Sequence, residues 1–209
     1  MGRAILICAV CITLSACSDP EKARIKETTK PTYDKATGKL TQLTYDANKN
    51  GTIDTWTDMD GKTPLRSRID LDEDGKIDRW EYYDNRGSLA KVGFSRRQNG
   101  TPDAWAYSGP DGKVARVEIS SVGDDMKLDR WEAYEQGVLI RAEEDTNADG
   151  RVDKWETYAD SALKTASMDE NGDGKPDRRL TYDGNGRLIL IESDPDGSGG
   201  YRKRVPVSS

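Results

Sequence analysis

The sequence predicts an all-β protein: a tandem array of β-hairpins, each about 24 residues long, laid out as an extended antiparallel meander after an N-terminal signal helix and a flexible tether. Three observations carry this. Tryptophan recurs at positions 56, 80, 105, 131 and 155, a nearly constant step. After each tryptophan come a short run of strand-forming residues, a tight turn and a second such run. Between hairpins lies a loop rich in Asp, Asn and Gly.

The first element is the signal, residues 1–16. Arg3 gives a positive start, and the apolar run from Ala4 to Leu14 is too short to span a bilayer as a helix, which takes about 20 residues. Leu14-Ser15-Ala16-Cys17 closes the run. This segment resembles the signal and lipobox of bacterial lipoproteins. The resemblance implies cleavage before Cys17, acylation of Cys17 and anchoring to a membrane through that lipid. Ser18 in place of Asp favours the outer membrane by the sorting rule of that family in cells with two membranes. All three cysteines (Cys8, Cys11, Cys17) fall in or at the end of the signal, so no disulfide is available to the mature chain. Residues 17–31 are polar and charged and read as a lipidated tether.

The repeat domain covers residues 32–205, with residues 206–209 as a tail. Its clearest unit runs from Asp70 through Trp80, Tyr82 and Gly87 to Leu89. Its first strand is expected over Ile77–Tyr83, and the turn places Gly87 at its tight position. Second strands are expected to start at Leu89, Val114, Val138, Leu163 and Leu188. Half-repeats flank the array, from Tyr33 to Leu40 and from Glu192 to Gly197. Two strands per repeat give about a dozen strands. The pattern leaves open whether they form an open sheet, a ring or a coil.

The loops follow Asp-x-Asp/Asn-x-Asp/Asn-Gly-x-Ile/Val/Pro-Asp. Intact copies begin at Asp46, Asp70, Asp145 and Asp169. The pattern resembles the first nine positions of an EF-hand calcium loop, and the short loops of dockerin and thrombospondin type 3 repeats. Calcium takes six to eight hard oxygens, and acidic residues at alternate positions of a tight loop supply them. The implied ligands are Asp46, Asn48, Asn50 and Asp54 in the first copy. In the second they are Asp70, Asp72, Asp74 and Asp78, with Glu81 at position twelve. The third offers Asp145, Asn147, Asp149 and Asp153, with Glu156 at position twelve, and the fourth Asp169, Asn171, Asp173 and Asp177. The gaps between loops are too short for the paired helices of an EF-hand, so the loop sits on a β scaffold and the reach of Glu81 and Glu156 to the metal is open. A bland alternative is that Asp-Gly loops are simply good turns. Two copies are degraded: the loop at Ser95 has Arg97 at position three, and the loop at Ser121 has Met126 where Gly is needed. Neither is expected to bind metal well.

Other classes are weighed on composition. The net charge is −6, and loss of Arg3 with the signal makes it −7, a poor balance for nucleic acid. Histidine is absent, which removes the usual neutral-pH base and zinc ligand. Carboxylate pairs such as Asp78 with Glu81 recur every repeat, unlike a catalytic pair, and no catalytic residue is assigned. The tryptophans are expected to form a packing spine, with sugar stacking as the rival. The hairpin also resembles MORN-type repeats, which implies a scaffold for protein contact, so the alternative reading is a metal-free β-repeat scaffold for protein partners or, through the tryptophans, glycan partners.

Overall fold

A computed structural model describes residues 28–121 and 127–207. The signal, Cys17, the tether as far as residue 27, and Asp125 and Met126 lie outside the described residues.

Fifteen strands run in sequence order through one sheet, every neighbour antiparallel. They are β1 (Thr29–Tyr33), β2 (Leu40–Tyr45), β3 (Thr55–Asp60), β4 (Thr63–Ile69), β5 (Arg79–Tyr83), β6 (Leu89–Phe94), β7 (Ala104–Ser108) and β8 (Val114–Ile119). The sheet continues with β9 (Arg130–Glu135), β10 (Val138–Glu144), β11 (Lys154–Ala159), β12 (Ala162–Met168), β13 (Arg178–Tyr182), β14 (Leu188–Pro195) and β15 (Tyr201–Pro206). Among the described residues β1 and β15 have no outer neighbour, so the sheet is open and not a closed ring. The strand count exceeds the expected dozen because both half-repeats pair fully. β1 begins inside the segment read as tether, and Thr29, Lys30 and Pro31 pair with Tyr45, Thr44 and Leu43.

The two ends of the hairpins differ. At one end are short turns. Asp84 N bonds Ser88 O at 2.8 Å and Gly87 N bonds Asp84 O at 3.0 Å. Gly87 takes φ 80°, which glycine adopts without strain, and a register shift between Tyr82 and Tyr83 marks the accompanying bulge. Asp160-Ser161 is a two-residue turn with both φ positive, 52° and 62°. That turn starts β12 at Ala162, one residue before the expected Leu163. At the other end sit the Asp/Gly loops. β5 begins at Arg79 rather than Ile77, because Ile77 and Asp78 belong to the loop closure.

Residues paired across antiparallel strands share a face. One face carries the row Trp56–Arg68–Trp80–Gly93–Trp105–Glu118–Trp131–Glu143–Trp155–Ser167–Arg179–Glu192. The tryptophans form a ladder on alternate strands and are half-buried, separated by polar or small rungs, rather than a ring-on-ring spine. Gly93 is such a rung: a Cβ there would meet Trp105 at 2.7 Å.

The opposite face holds a charged lattice. Arg130 pairs with Glu132, Glu144 and Glu156 at 2.9, 3.2 and 3.1 Å, and Lys154 pairs with Glu144 and Glu156 at 3.1 and 2.8 Å. Ala142, only 1% exposed, lies flat beneath and lets Arg130 reach across to Glu156. Burial works against the charge on Arg130, but Glu132, Tyr158 and Glu156 outweigh it and hold its pKa above the ordinary value. Tyr134, half-buried and donating to Glu132, is pushed up to about 12.

Among the described residues no second layer covers either face. Among the described residues only four apolar side chains are buried (Val92, Ala104, Ala142 and Ala166), against eleven polar or charged ones, so cross-strand pairs and hydrogen bonds hold the sheet in place of an apolar core.

Candidate cation loops

The loops share one backbone. Position-one and position-nine residues extend the ladder, as in Asp70 N to Asp54 O at 2.9 Å and Asp78 N to Ile69 O at 2.9 Å. The position-nine carboxylate caps the loop by accepting from position two: Asp78 from Leu71 N at 2.7 Å, Asp54 from Ala47 N at 2.7 Å, Asp153 from Thr146 N at 3.0 Å, and Asp177 from Glu170 N at 2.8 Å. Position-six Gly has φ of 95°, 88°, 89° and 84° at Gly51, Gly75, Gly150 and Gly174. Position four is also left-handed, at Lys49, Glu73, Gln98, Ala148 and Gly172. Nothing in the residue types announces that position, and the sequence pattern missed it.

The loop from Asp70 to Asp78 stands apart. Oxygens of Asp70, Asp72 and Asp78 lie within 4.8 Å of one another, the one such three-carboxylate group among the described residues. Asp70 is 5% exposed. Its Oδ2 accepts from Gly75 N at 2.9 Å, while its Oδ1 is buried with no hydrogen-bond partner. A buried, unpartnered carboxylate oxygen among other carboxylates is costly without a cation. Asp74 is diverted, because its oxygens accept from Lys76 N and Nζ, both at 2.8 Å. The Lys76 ammonium holds the Asp74 carboxyl below the usual range.

The other three intact loops satisfy their oxygens internally. Asp145 accepts from Asp149 N at 3.2 Å and Gly150 N at 2.7 Å, Asn147 from Asp149 N at 2.9 Å, and Asp149 from Arg151 N at 2.9 Å. Asp153 takes the Thr146 hydroxyl at 2.9 Å with its second oxygen. Asp169 accepts from Gly172 N and Gly174 N at 2.8 and 2.6 Å, and Asp173 from Lys175 N at 2.9 Å. Asn171 donates across the loop to Asp177 at 2.9 Å. In the first loop Asp46 caps Lys49 N and Gly51 N at 2.6 and 2.9 Å. Asn48 and Asn50 donate their amides to the two oxygens of Glu73 in the next loop, at 2.6 and 2.5 Å.

The position-twelve residues Glu81 and Glu156, whose reach to the metal the sequence leaves open, lie on strands β5 and β11. Both sit mid-strand on the face opposite the tryptophans. Glu81 accepts from Arg79 Nε at 2.9 Å and Tyr83 OH at 2.6 Å, and Glu156 from Tyr158 OH at 2.8 Å. After position nine the chain leaves as a strand, which carries position twelve away from the loop at about 3.3 Å per residue. A helix would have curled it back.

The degraded loop at Ser95 keeps the shape without the acidity. Ser95 Oγ accepts from Asn99 N and Gly100 N at 3.1 and 3.2 Å. Asp103, 1% exposed, caps Arg96 N at 2.8 Å. The Arg97 guanidinium lies 3.7 Å from Asp103 and donates to Ser120 O at 3.4 Å. In the next loop Asp129 accepts from Ser121 N at 2.7 Å.

No family model and no curated protein matches the chain. Among solved structures, it is similar to a chain of the crystal structure of accessory secretory protein 1, 2 and 3 in Streptococcus pneumoniae. The identity is 15%, the coverage 52% of this chain and 19% of that one, and the TM-score 0.38. That likeness carries no argument about function.

Proposed function

We propose that the chain is an exported lipoprotein, tethered to the outer membrane through Cys17, whose repeat domain is a structural or binding module stiffened by calcium at the loop from Asp70 to Asp78. The observation that supports the metal most strongly is Asp70 Oδ1, buried and unpartnered beside Asp72 and Asp78. A divalent ion there meets hard oxygens from three carboxylates, neutralises their mutual repulsion and ties the turn joining β4 to β5. The lipid anchor rests on the apolar run closed by Leu14-Ser15-Ala16-Cys17.

Exported modules of this kind hold calcium at about 10⁻⁴ to 10⁻³ M. The test is calorimetric titration of the chain with calcium, with thermal melting in parallel. A saturable site and a rise in melting temperature are expected, both abolished by Asp70→Asn and Asp72→Ala. No change in melting temperature at millimolar calcium would sink the metal and leave a metal-free β scaffold for a protein or glycan partner. The anchor is tested separately: Cys17→Ser should release the chain from membranes and block incorporation of labelled palmitate.

A further inference from the structure

The face that carries the tryptophans has a second row of paired residues, two positions along each strand. It includes Tyr82, Lys91, Tyr107, Arg116, Ala133 and Arg141. Its cations fall on β6, β8 and β10, one repeat apart, so two strand spacings of about 9.5 Å in all separate each from the next. In this row aromatic rings occupy β5 and β7, while β9 carries Ala133 with Trp131 in the adjacent row. Lys91 Nζ lies 4.8 Å from the Tyr82 ring centre and 4.5 Å from that of Trp105, and the Arg116 guanidinium lies 4.1 Å from that of Tyr107.

Two of these heads, on Arg116 and Arg141, are open to a ligand, while Lys91 is half-buried against Tyr82 and Trp105. The Arg116 and Arg141 side chains are 53% and 63% exposed, and their carboxylate contacts are long, 3.4 Å to Glu118 and 3.6 Å to Glu143. Exposed pairs of that kind hold little free energy. The equivalent residue on β4, Arg66, differs because Asp58 takes both its Nε and Nη2, at 3.2 and 2.7 Å. Along this stretch the face carries Lys91, Arg116 and Arg141 in one row against Glu118 and Glu143 in the adjacent tryptophan row, a local excess of positive charge on a chain of net charge −6.

We propose that this stripe docks a linear acidic polysaccharide lying across the strands from β5 to β11. The occupant follows from charge and pitch. An acid group recurring once per disaccharide meets one cation every second strand, and the intervening Trp and Tyr rings offer flat faces to the sugar rings. A nucleic acid fits less well, because its phosphates recur at a shorter step than the cations. The inference does not depend on the metal reading.

The test uses the full chain in detergent micelles, with chelator present so that loop-bound calcium cannot bridge. Tryptophan fluorescence is followed during titration with hyaluronan, unsulfated chondroitin, neutral dextran and oligothymidylate. Both acidic polysaccharides should give saturable changes, and dextran none. Lys91→Gln/Arg116→Gln/Arg141→Gln should raise Kd by roughly tenfold or more and flatten its salt dependence. Lys35→Gln/Lys62→Gln/Lys113→Gln, the same charge change at the hairpin turns, should leave Kd within about twofold. Melting curves confirm that both variants fold. The proposal is overturned by equal losses in the two variants, by dextran or oligothymidylate binding as tightly, or by no saturable change with either acidic polymer.

Discussion

Neighbouring loops in the array, Asp70 to Asp78 and Ser95 to Asp103, have the same backbone and opposite electrostatics. Each has a left-handed fourth residue (Glu73 at φ 61°, Gln98 at φ 52°) and a position-six glycine (Gly75 at 88°, Gly100 at 80°). In each a ninth-position Asp caps the second amide. In one, three carboxylates converge around a buried oxygen that nothing satisfies. In the other, serine replaces the first carboxylate, and Arg97 brings a cation of the chain's own to Asp103. The turn therefore does not need carboxylates at positions one, three and five to hold its shape, while the position-nine Asp is kept in both. Their surplus in the first loop calls for a different explanation, and a metal ion is the one that matches the chemistry. The second loop answers the same electrostatic demand with an ion pair to a side chain of its own.

The largest effect expected is on the acidic loop. At calcium about 100-fold above Kd, the wild type should gain about 2.7 kcal/mol of stability. Asp70→Asn should lose that gain, yet in chelator it should melt no lower than wild type, because the mutual repulsion is relieved. A crossing of the two melting curves with calcium is the signature to look for. Next comes Arg97→Ala. It leaves the Asp103 carboxylate buried without its cation and should cost about 2 kcal/mol, in chelator and calcium alike. Recovery of that loss by calcium would mean the two loops are less different than they look. The conversion Ser95→Asp/Arg97→Asp should add one calcium site to the calorimetric stoichiometry while costing stability in chelator.

A smaller effect should appear at the array's far end, where Glu192 is 4% exposed. Arg179 Nε donates to it at 2.7 Å and, with Arg204 at 3.1 Å, holds its carboxyl below the ordinary range. A carboxyl lowered on folding stabilises above its unfolded value, near 4.3, and that contribution fades as pH falls through the folded value. Glu192→Gln should therefore be less stable than wild type by about 1 kcal/mol at neutral pH, and the gap should close in acid. A constant gap down to pH 2 would place the loss in packing instead.

The hairpins, their step and the loop positions were legible because tryptophan spacing, glycine turns and alternating Asp are local signals that strand pairing leaves intact. The ligand at position twelve was not, because Glu81 and Glu156 follow a register borrowed from a loop that exits into a helix, and here the exit is a strand. Arg97 was legible as an obstacle to metal. Its role as partner to Asp103 depends on the fold of the loop, as does the clamp from Glu73 to Asn48 and Asn50. The line of Lys91, Arg116 and Arg141 was written at one-repeat spacing all along, but only the register of β6, β8 and β10 puts it beside Tyr82 and Tyr107.

Every pair of strands in substantial contact is a pair of sequence neighbours. With no shared interior, length becomes a variable the gene can adjust. Excising residues 145–168 would join Glu144 to Asp169, the same point one period later, and draw the two borders of the sheet closer by about 9.5 Å without altering any remaining hairpin. Such a polymer-like body works as a gauge: its span is set by how many copies the reading frame contains, and gain or loss of a copy resets reach in fixed increments.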